Sequence, residues 1–253
     1  MGPWVDRHTL IRNAERFVQS HGFFLRKNGH RISSLVEIAV YNSIVQYYQS
    51  LGFTVTGENL GPKNSFRYKL TSSGLIENHS YFIARKVGIS FHILHNISIQ
   101  SAYEDHLYFT ADIVVANENG ATTKTLRSGR RHSFVANTHL VTFAEVKHLN
   151  PFPEVLFNFI GLVLEFMPML IKKTCPITDS SDRLCPVISF TGPGSKHADA
   201  IQESLSRRYG VNIVFGTSSS FGSLIGFSSM KKYSKTKTAM TVSVSGKRII
   251  TLE

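Results

Sequence analysis

Cysteine is nearly missing: the 253 residues hold two, Cys175 and Cys185. Two are too few for a disulfide framework, and no Cys/His group has the spacing of a zinc site. That excludes a stapled miniature scaffold and a zinc module, and it favours free thiols in a reducing, cytoplasmic compartment. Acidic residues are also scarce. Asp and Glu total 17 against 28 Lys and Arg, for a net charge of +11. A long uninterrupted apolar run is missing too. Val155 to Ile171 (VLFNFIGLVLEFMPMLI) comes nearest, but Asn158, Gly161, Glu165 and Pro168 break it. A spanning helix takes about 20 apolar residues with few or no charges. The stretch therefore reads as a buried core helix, and no integral membrane segment is expected. The opening residues, MGPWVDRHTLIRNAERF, lack the apolar centre of a signal peptide and read as an amphipathic helix over 8–20. There is no internal repeat and no low-complexity tract.

What is present describes a globular chain: 42% hydrophobic and 11% aromatic residues. The basic excess favours an anionic partner, nucleic acid or an acidic membrane surface. One domain is expected over 1–253, with a core at about 31–217 and a basic extension at 218–253.

Arg31 to Leu51 predicts the strongest helix. Leu35, Ile38, Val45 and Tyr48 follow the 3.6-residue period, and Gly52 closes it. Ser34 followed by Glu37 has capping-box spacing, so Glu37 reads equally as a cap or as a site residue. Phe53 to Thr56 reads as a short strand, and Phe66 to Gln100 as a β-rich region. His106–Gly120 and His139–Leu149 predict two buried strands, with 117–131 (NENGATTKTLRSGRR) between them as a long hairpin loop. A helix is expected from Glu154, a strand over 186–191, a helix over 196–209 and a strand over 211–217. A hairpin turning at Ser245–Gly246 is expected near the end. This order predicts an α/β or α+β fold, a mixed sheet covered by helices.

The two buried strands carry charges. Asp112 lies in the first, predicted to share a face with Tyr108, Thr110 and Val114. Glu145 and Lys147 lie in the second, two residues apart and so on one face. Isolated charges are rarely buried unless they pair or bind a metal. If these strands pair, Asp112, Glu145 and Lys147 can converge. Oxygen ligands of this kind suit Mg²⁺ or Mn²⁺, which activates water and neutralises charge on a phosphoryl transition state. A structural salt bridge at a sheet edge is the competing reading.

An acid in one strand followed by Glu-Val-Lys in the next resembles the PD-(D/E)xK nuclease superfamily, which includes type II restriction endonucleases and Holliday junction resolvases. The resemblance is carried by Asp112, Glu145 and Lys147, with Glu37 in a preceding helix. It departs in having Ala111 before Asp112 and Glu145 33 positions after Asp112, a gap longer than the family's usual hairpin. It implies a restriction-endonuclease-like core and a DNA endonuclease, acting in restriction or defence against foreign DNA. Asp112 and Glu145 would hold the metal and Lys147 would assist the attacking water. Glu37 would bind a second metal, or the first through water. It implies DNA more than RNA as partner, and a homodimer or a subunit of a larger complex. A catalytically inactive nucleic-acid-binding module of the same fold is the alternative.

Other basic residues are candidates for nucleic-acid contact. Lys124, Arg127, Arg130 and Arg131 lie between the two site strands, where a loop could straddle a phosphate backbone or simply be solvated. Lys231, Lys232 and Lys235 interleave with Tyr233, a pattern suited to backbone contact and stacking or to a solvated linker. His148 reads as a structural histidine, Glu154 as a helix-start acid, and Glu165 as a solvent-edge acid or a partner of Lys172 or Lys173. His92 and His95 share no strand face, which discounts them as metal ligands.

Overall fold

The structure is a computed structural model. It describes residues 32–126, 128–171, 183–216, 231–232 and 240–241. The helix expected over 8–20 and the turn at Ser245–Gly246 lie outside these residues.

Helix α1 (Ile32–Ser50) is built from closely spaced apolar residues. Val36, Val40, Ile44 and Tyr48 are buried along one stripe, and Ile38, Tyr41 and Val45 widen it. The helix ends because Gly52 takes φ +84°, a left-handed conformation that glycine adopts without a Cβ penalty. The N–H of Gly52 then donates to Gln49 O, and that of Phe53 to Tyr48 O.

Nine strands form one mixed sheet: β1 (Thr54–Glu58), β2 (Tyr81–Lys86), β3 (Ile89–Gln100), β4 (Tyr108–Asn117), β5 (Ala121–Thr125), β6 (Arg131–Val135), β7 (Leu140–Lys147), β8 (Val187–Phe190) and β9 (Asn212–Val214). The main order is β1-β2-β3-β4-β7-β8-β9. Neighbours are antiparallel as far as β7, and β7, β8 and β9 are parallel. Parallel neighbours need crossovers. The described crossover helices are α2 (Pro153–Phe166) and α3 (Pro168–Ile171) between β7 and β8, and α4 (Lys196–Tyr209) between β8 and β9.

The sheet separates two apolar layers. On one side α1 packs on Ile93, Ile113 and Val115. On the other, Leu156, Phe159 and Val163 of α2 and Leu205 of α4 pack on Leu94, Val114 and Phe143. The expected mixed sheet flanked by helices is therefore what the chain forms.

Two expectations need correction. Residues 117–131 are not a loop. They hold β5 and the start of β6, which pair antiparallel, and β6 then runs parallel to β3 at Ser98 and Ile99. Polar Thr and Lys residues concealed strands that are only half covered. The apolar stretch after Pro153 is also not one helix. The N–H of Met167 still donates to Val163 O, but proline lacks a donor and pushes the residue before it out of helical geometry. Pro168 thus separates α2 from α3.

Beyond the sheet, β10 (Lys231–Lys232) and β11 (Met240–Thr241) pair antiparallel.

Candidate active site

Strands β4 and β7 pair from Ala116↔Leu140 to Ile113↔Ala144 and then part. Past that point β4 continues along β3, pairing as far as Tyr108↔Gln100. Strand β7 continues along β8, pairing Glu145 with Ile188 and Lys147 with Phe190. The sheet forks, and Asp112 stands where it opens. Its Oδ2 accepts a hydrogen bond from the Val146 N–H at 2.7 Å. A side chain thus takes the place of the ladder bond that the strands no longer share.

The regular alternation of faces stops at the same level, so Val114 does not share a face with Asp112 as expected, whereas Phe109 and Ala111 pack in one layer and leave Tyr108, Thr110 and Asp112 on the other face. Ala111 packs with Val114 and Ala116, whereas Ile113 and Val115 pack in the opposite layer. The neighbouring strand changes phase too. Ile93 lies in the α1 layer, but Ile97 and Ile99 lie in the other. Between them Asn96 takes φ +51°, a left-handed conformation that asparagine tolerates better than most side chains. Asn96 falls between the register pairs His95↔Ile113 and Ile97↔Ala111, level with Asp112.

Three carboxyl groups and one ammonium act electrostatically on one another here. Lys147 Nζ lies 2.5 Å from Glu145 Oε2. Glu145 is 3% exposed, and its Oε1 is buried, with only the Asp112 backbone N–H, among the described residues, directed at the carboxylate besides Lys147. Burial, then the negative charge of Asp112, push the Glu145 carboxyl up to about 7 against the pull of Lys147. Burial also raises Asp112, despite the Val146 N–H and Lys147. Glu37 comes from α1. Burial and then Asp112 raise it to about 7, while Asn96 and Lys147 oppose the rise. For Lys147, burial works against the charge, but Glu145, Asp112 and Glu37 outweigh it and raise its value. One cation therefore faces three acids, and burial first, then the charge of Asp112 on Glu37 and Glu145, makes the acids hold protons more tightly.

Glu37 is no helix cap. The helix is already formed at Ile32, so Ser34 lies inside it. The Glu37 carboxylate instead accepts from Asn96 Nδ2 at 3.3 Å and lies 4.0 Å from His95 Nε2.

The donor set is compatible with a hard divalent cation. It offers only carboxylate oxygens, one of them buried, and it carries excess negative charge. Among the described residues, no three His, Cys, Asp or Glu side chains stand together as a formed metal cluster. The arrangement is an ion pair of Glu145 with Lys147, flanked by Asp112 and Glu37.

The basic candidates are distributed differently. Lys124, half-buried on β5, donates to the Tyr108 hydroxyl and lies over the Tyr108 and Phe134 rings. Arg131 pairs with Glu77. Arg130 is exposed. Arg127 and Lys235 lie outside the described residues. Lys231 and Lys232 form β10, with only their backbone described.

His148 shares a hydrogen bond with Thr191 Oγ1 at 3.1 Å, and Glu154 lies in the first turn of α2. Glu165 accepts from the Ser101 hydroxyl and is not simply a solvent-edge acid.

Sequence reasoning missed Asn96 and Lys69. Lys69 is 2% exposed, and its ammonium donates to the carbonyls of Thr71, Ser72 and Asn96. Burial lowers its value to about 8. An Asn interrupting the apolar run HILHNISI was the one visible signal.

No family model matches the chain, and no curated protein and no solved structure matches it either.

Proposed function

We propose that the chain is a metal-dependent nuclease that hydrolyses phosphodiester bonds, with DNA as the favoured substrate. The observation that supports this reading is that Glu37, Asp112, Glu145 and Lys147 act electrostatically on one another at one fork in the sheet, with the Glu145 carboxyl almost wholly buried. Asp112 and Glu145 would hold Mg²⁺ or Mn²⁺, with Glu37 as a further ligand directly or through water. The ion, when bound, lowers the pKa of a coordinated water and neutralises charge on the phosphoryl group. Lys147 supplies the positive charge beside Glu145 that orients the water or steadies the phosphate. The Val146 N–H fixes Asp112 so that its carboxylate is aimed before a ligand arrives. The net charge of +11 favours a polyanionic substrate. A role in restriction or in defence against foreign DNA, and action as a homodimer or within a larger complex, follow from the resemblance.

The test is incubation of the purified protein with plasmid DNA and with RNA, with and without Mg²⁺. Cleavage of plasmid that requires Mg²⁺ and falls at least 100-fold in Lys147→Ala is expected, given the usual weight of one positioned proton-transfer or charge-stabilising group. Absence of metal-dependent cleavage of either substrate would overturn the reading.

A second reading is a nucleic-acid-binding module without catalysis. The direct Glu145–Lys147 ion pair favours it, because a lysine that closes the site permanently leaves no room for an ion. Calorimetric titration with Mn²⁺ separates the two: a nuclease site takes up the ion, and a closed ion pair does not. Among the described residues no helix is long and apolar enough to cross a membrane.

A further inference from the structure

We infer that Asn96 is a positioning residue of the site, and that Lys69 locks it in place. The inference rests on the proposed reading of Glu37 as a site acid. Asn96 interrupts β3 at φ +51°, level with Asp112 on the neighbouring strand. A left-handed residue within a strand is strained, and such strain persists only where the surroundings hold it. Here the hold is reciprocal. Asn96 Nδ2 donates to Lys69 O at 2.9 Å, and Lys69 Nζ donates back to Asn96 O. Lys69 has two further carbonyl acceptors, Thr71 O at 2.8 Å and Ser72 O at 3.0 Å. Its ammonium is thus saturated by backbone and ties the segment after β1 to β3.

With one amide hydrogen spent on Lys69 O, Asn96 Nδ2 turns the other toward Glu37 Oε2 at 3.3 Å, with the more distant His95 Nε2 at 3.5 Å on the same side. His95, buried beside it, lies tilted at 5.2 Å from the Tyr41 ring, with its Nε2 4.0 Å from the same Glu37 oxygen. Asn96 is then the neutral donor that holds Glu37 toward Asp112 and Lys147 without cancelling the negative charge an ion needs. A lysine or arginine in its place would hold Glu37 equally well but would compete with the cation.

Asparagine could stand at this position for its backbone alone, and the variants separate the two roles. Asn96→Gly keeps the left-handed conformation and removes the amide. Asn96→Ala removes both. Mn²⁺ affinity is read by calorimetry and unfolding by urea, in the parent, Asn96→Gly, Asn96→Ala, Glu37→Gln and the Asn96→Gly/Glu37→Gln double variant. The expected result is a roughly 10-fold loss of Mn²⁺ affinity in Asn96→Gly, the order found for residues that orient metal ligands. No further loss is expected when Glu37→Gln is already present. Mn²⁺ binding by Asn96→Gly equal to that of the parent would overturn the inference and leave Asn96 a backbone residue. Failure of the parent itself to bind Mn²⁺ is a different result and removes the metal reading of the site. The urea midpoints then decide alone. Non-additive shifts for Asn96→Gly and Glu37→Gln uphold the coupling of Asn96 to Glu37, and additive shifts overturn it.

Discussion

Glu145 illustrates what a site of this kind demands of a single residue. Its carboxyl is almost wholly buried and reaches about 7 instead of the ordinary 4.5, as does that of Glu37. A carboxyl whose folded value lies above its unfolded value binds its proton more tightly in the native state. Stability due to it is therefore present at low pH and lost as pH rises from about 4.5 through about 7. The protein without metal should unfold more easily at pH 8 than at pH 5. Glu145→Gln should be more stable than the parent at pH 8, by about 1–3 kcal/mol, with the gain vanishing near pH 4. Urea titrations at the three pH values measure this directly. An unchanged pH slope in Glu145→Gln would mean that the buried charge lies elsewhere.

That acids and a lysine occupied buried strands was legible from the sequence, because charge stands out in an apolar run. The partners that aim them were not. Asn96 and Lys69 act through backbone conformation and carbonyl contacts, and neither leaves a periodic trace.

At the scale of the element, the fork between β4 and β7 decides where the site lies. Asp112 is both an acid and a structural acceptor, since its carboxylate occupies the Val146 N–H. The two roles come apart under substitution. Asp112→Asn keeps an acceptor oxygen and loses the charge. It should fold normally and lose cleavage. Asp112→Ala leaves Val146 N–H buried without a partner and should cost about 1–3 kcal/mol. Hydrogen exchange distinguishes them: the Val146 amide should exchange faster in Asp112→Ala and at the parent rate in Asp112→Asn. The strands themselves were readable from their apolar runs, His106–Gly120 narrowing to Tyr108–Asn117 and His139–Leu149 to Leu140–Lys147. The fork was not, because β4 stays on its hairpin partner β3 while β7 follows β8, a strand distant from it in sequence. The sequence of β5 and β6 reads as loop because ATTKT has no apolar alternation. Their short polar segments acquire meaning only when β6 docks beside β3.

Across the whole molecule, the surplus of basic residues is not a uniform coat. Part of it is engaged inside the fold. Lys124 lies 4.7 Å from the centre of the Tyr108 ring and 4.9 Å from that of Phe134, and Arg131 is paired with Glu77. Lys124→Met should therefore lower the melting temperature by a few degrees, given about 0.5–2 kcal/mol for a partly desolvated cation over a ring. It should leave the salt dependence of DNA binding unchanged. A lysine in phosphate contact would behave in the opposite way, holding stability and reducing the logarithmic salt slope by about 1. Thermal melts and binding isotherms at several salt concentrations make the comparison.

The order in which the chain supplies its site has a further consequence. Glu37 is made early, Asp112 midway, and Glu145 with Lys147 later. The strands β8 and β9 that hold β7 open come later still. During synthesis all four residues emerge before β8 and β9 do, so an unfinished chain released from the ribosome carries the acids and the lysine without the strands that frame them. On the proposed reading, a protein able to cut its host's own nucleic acid stays harmless until its last core strand has been translated and docked.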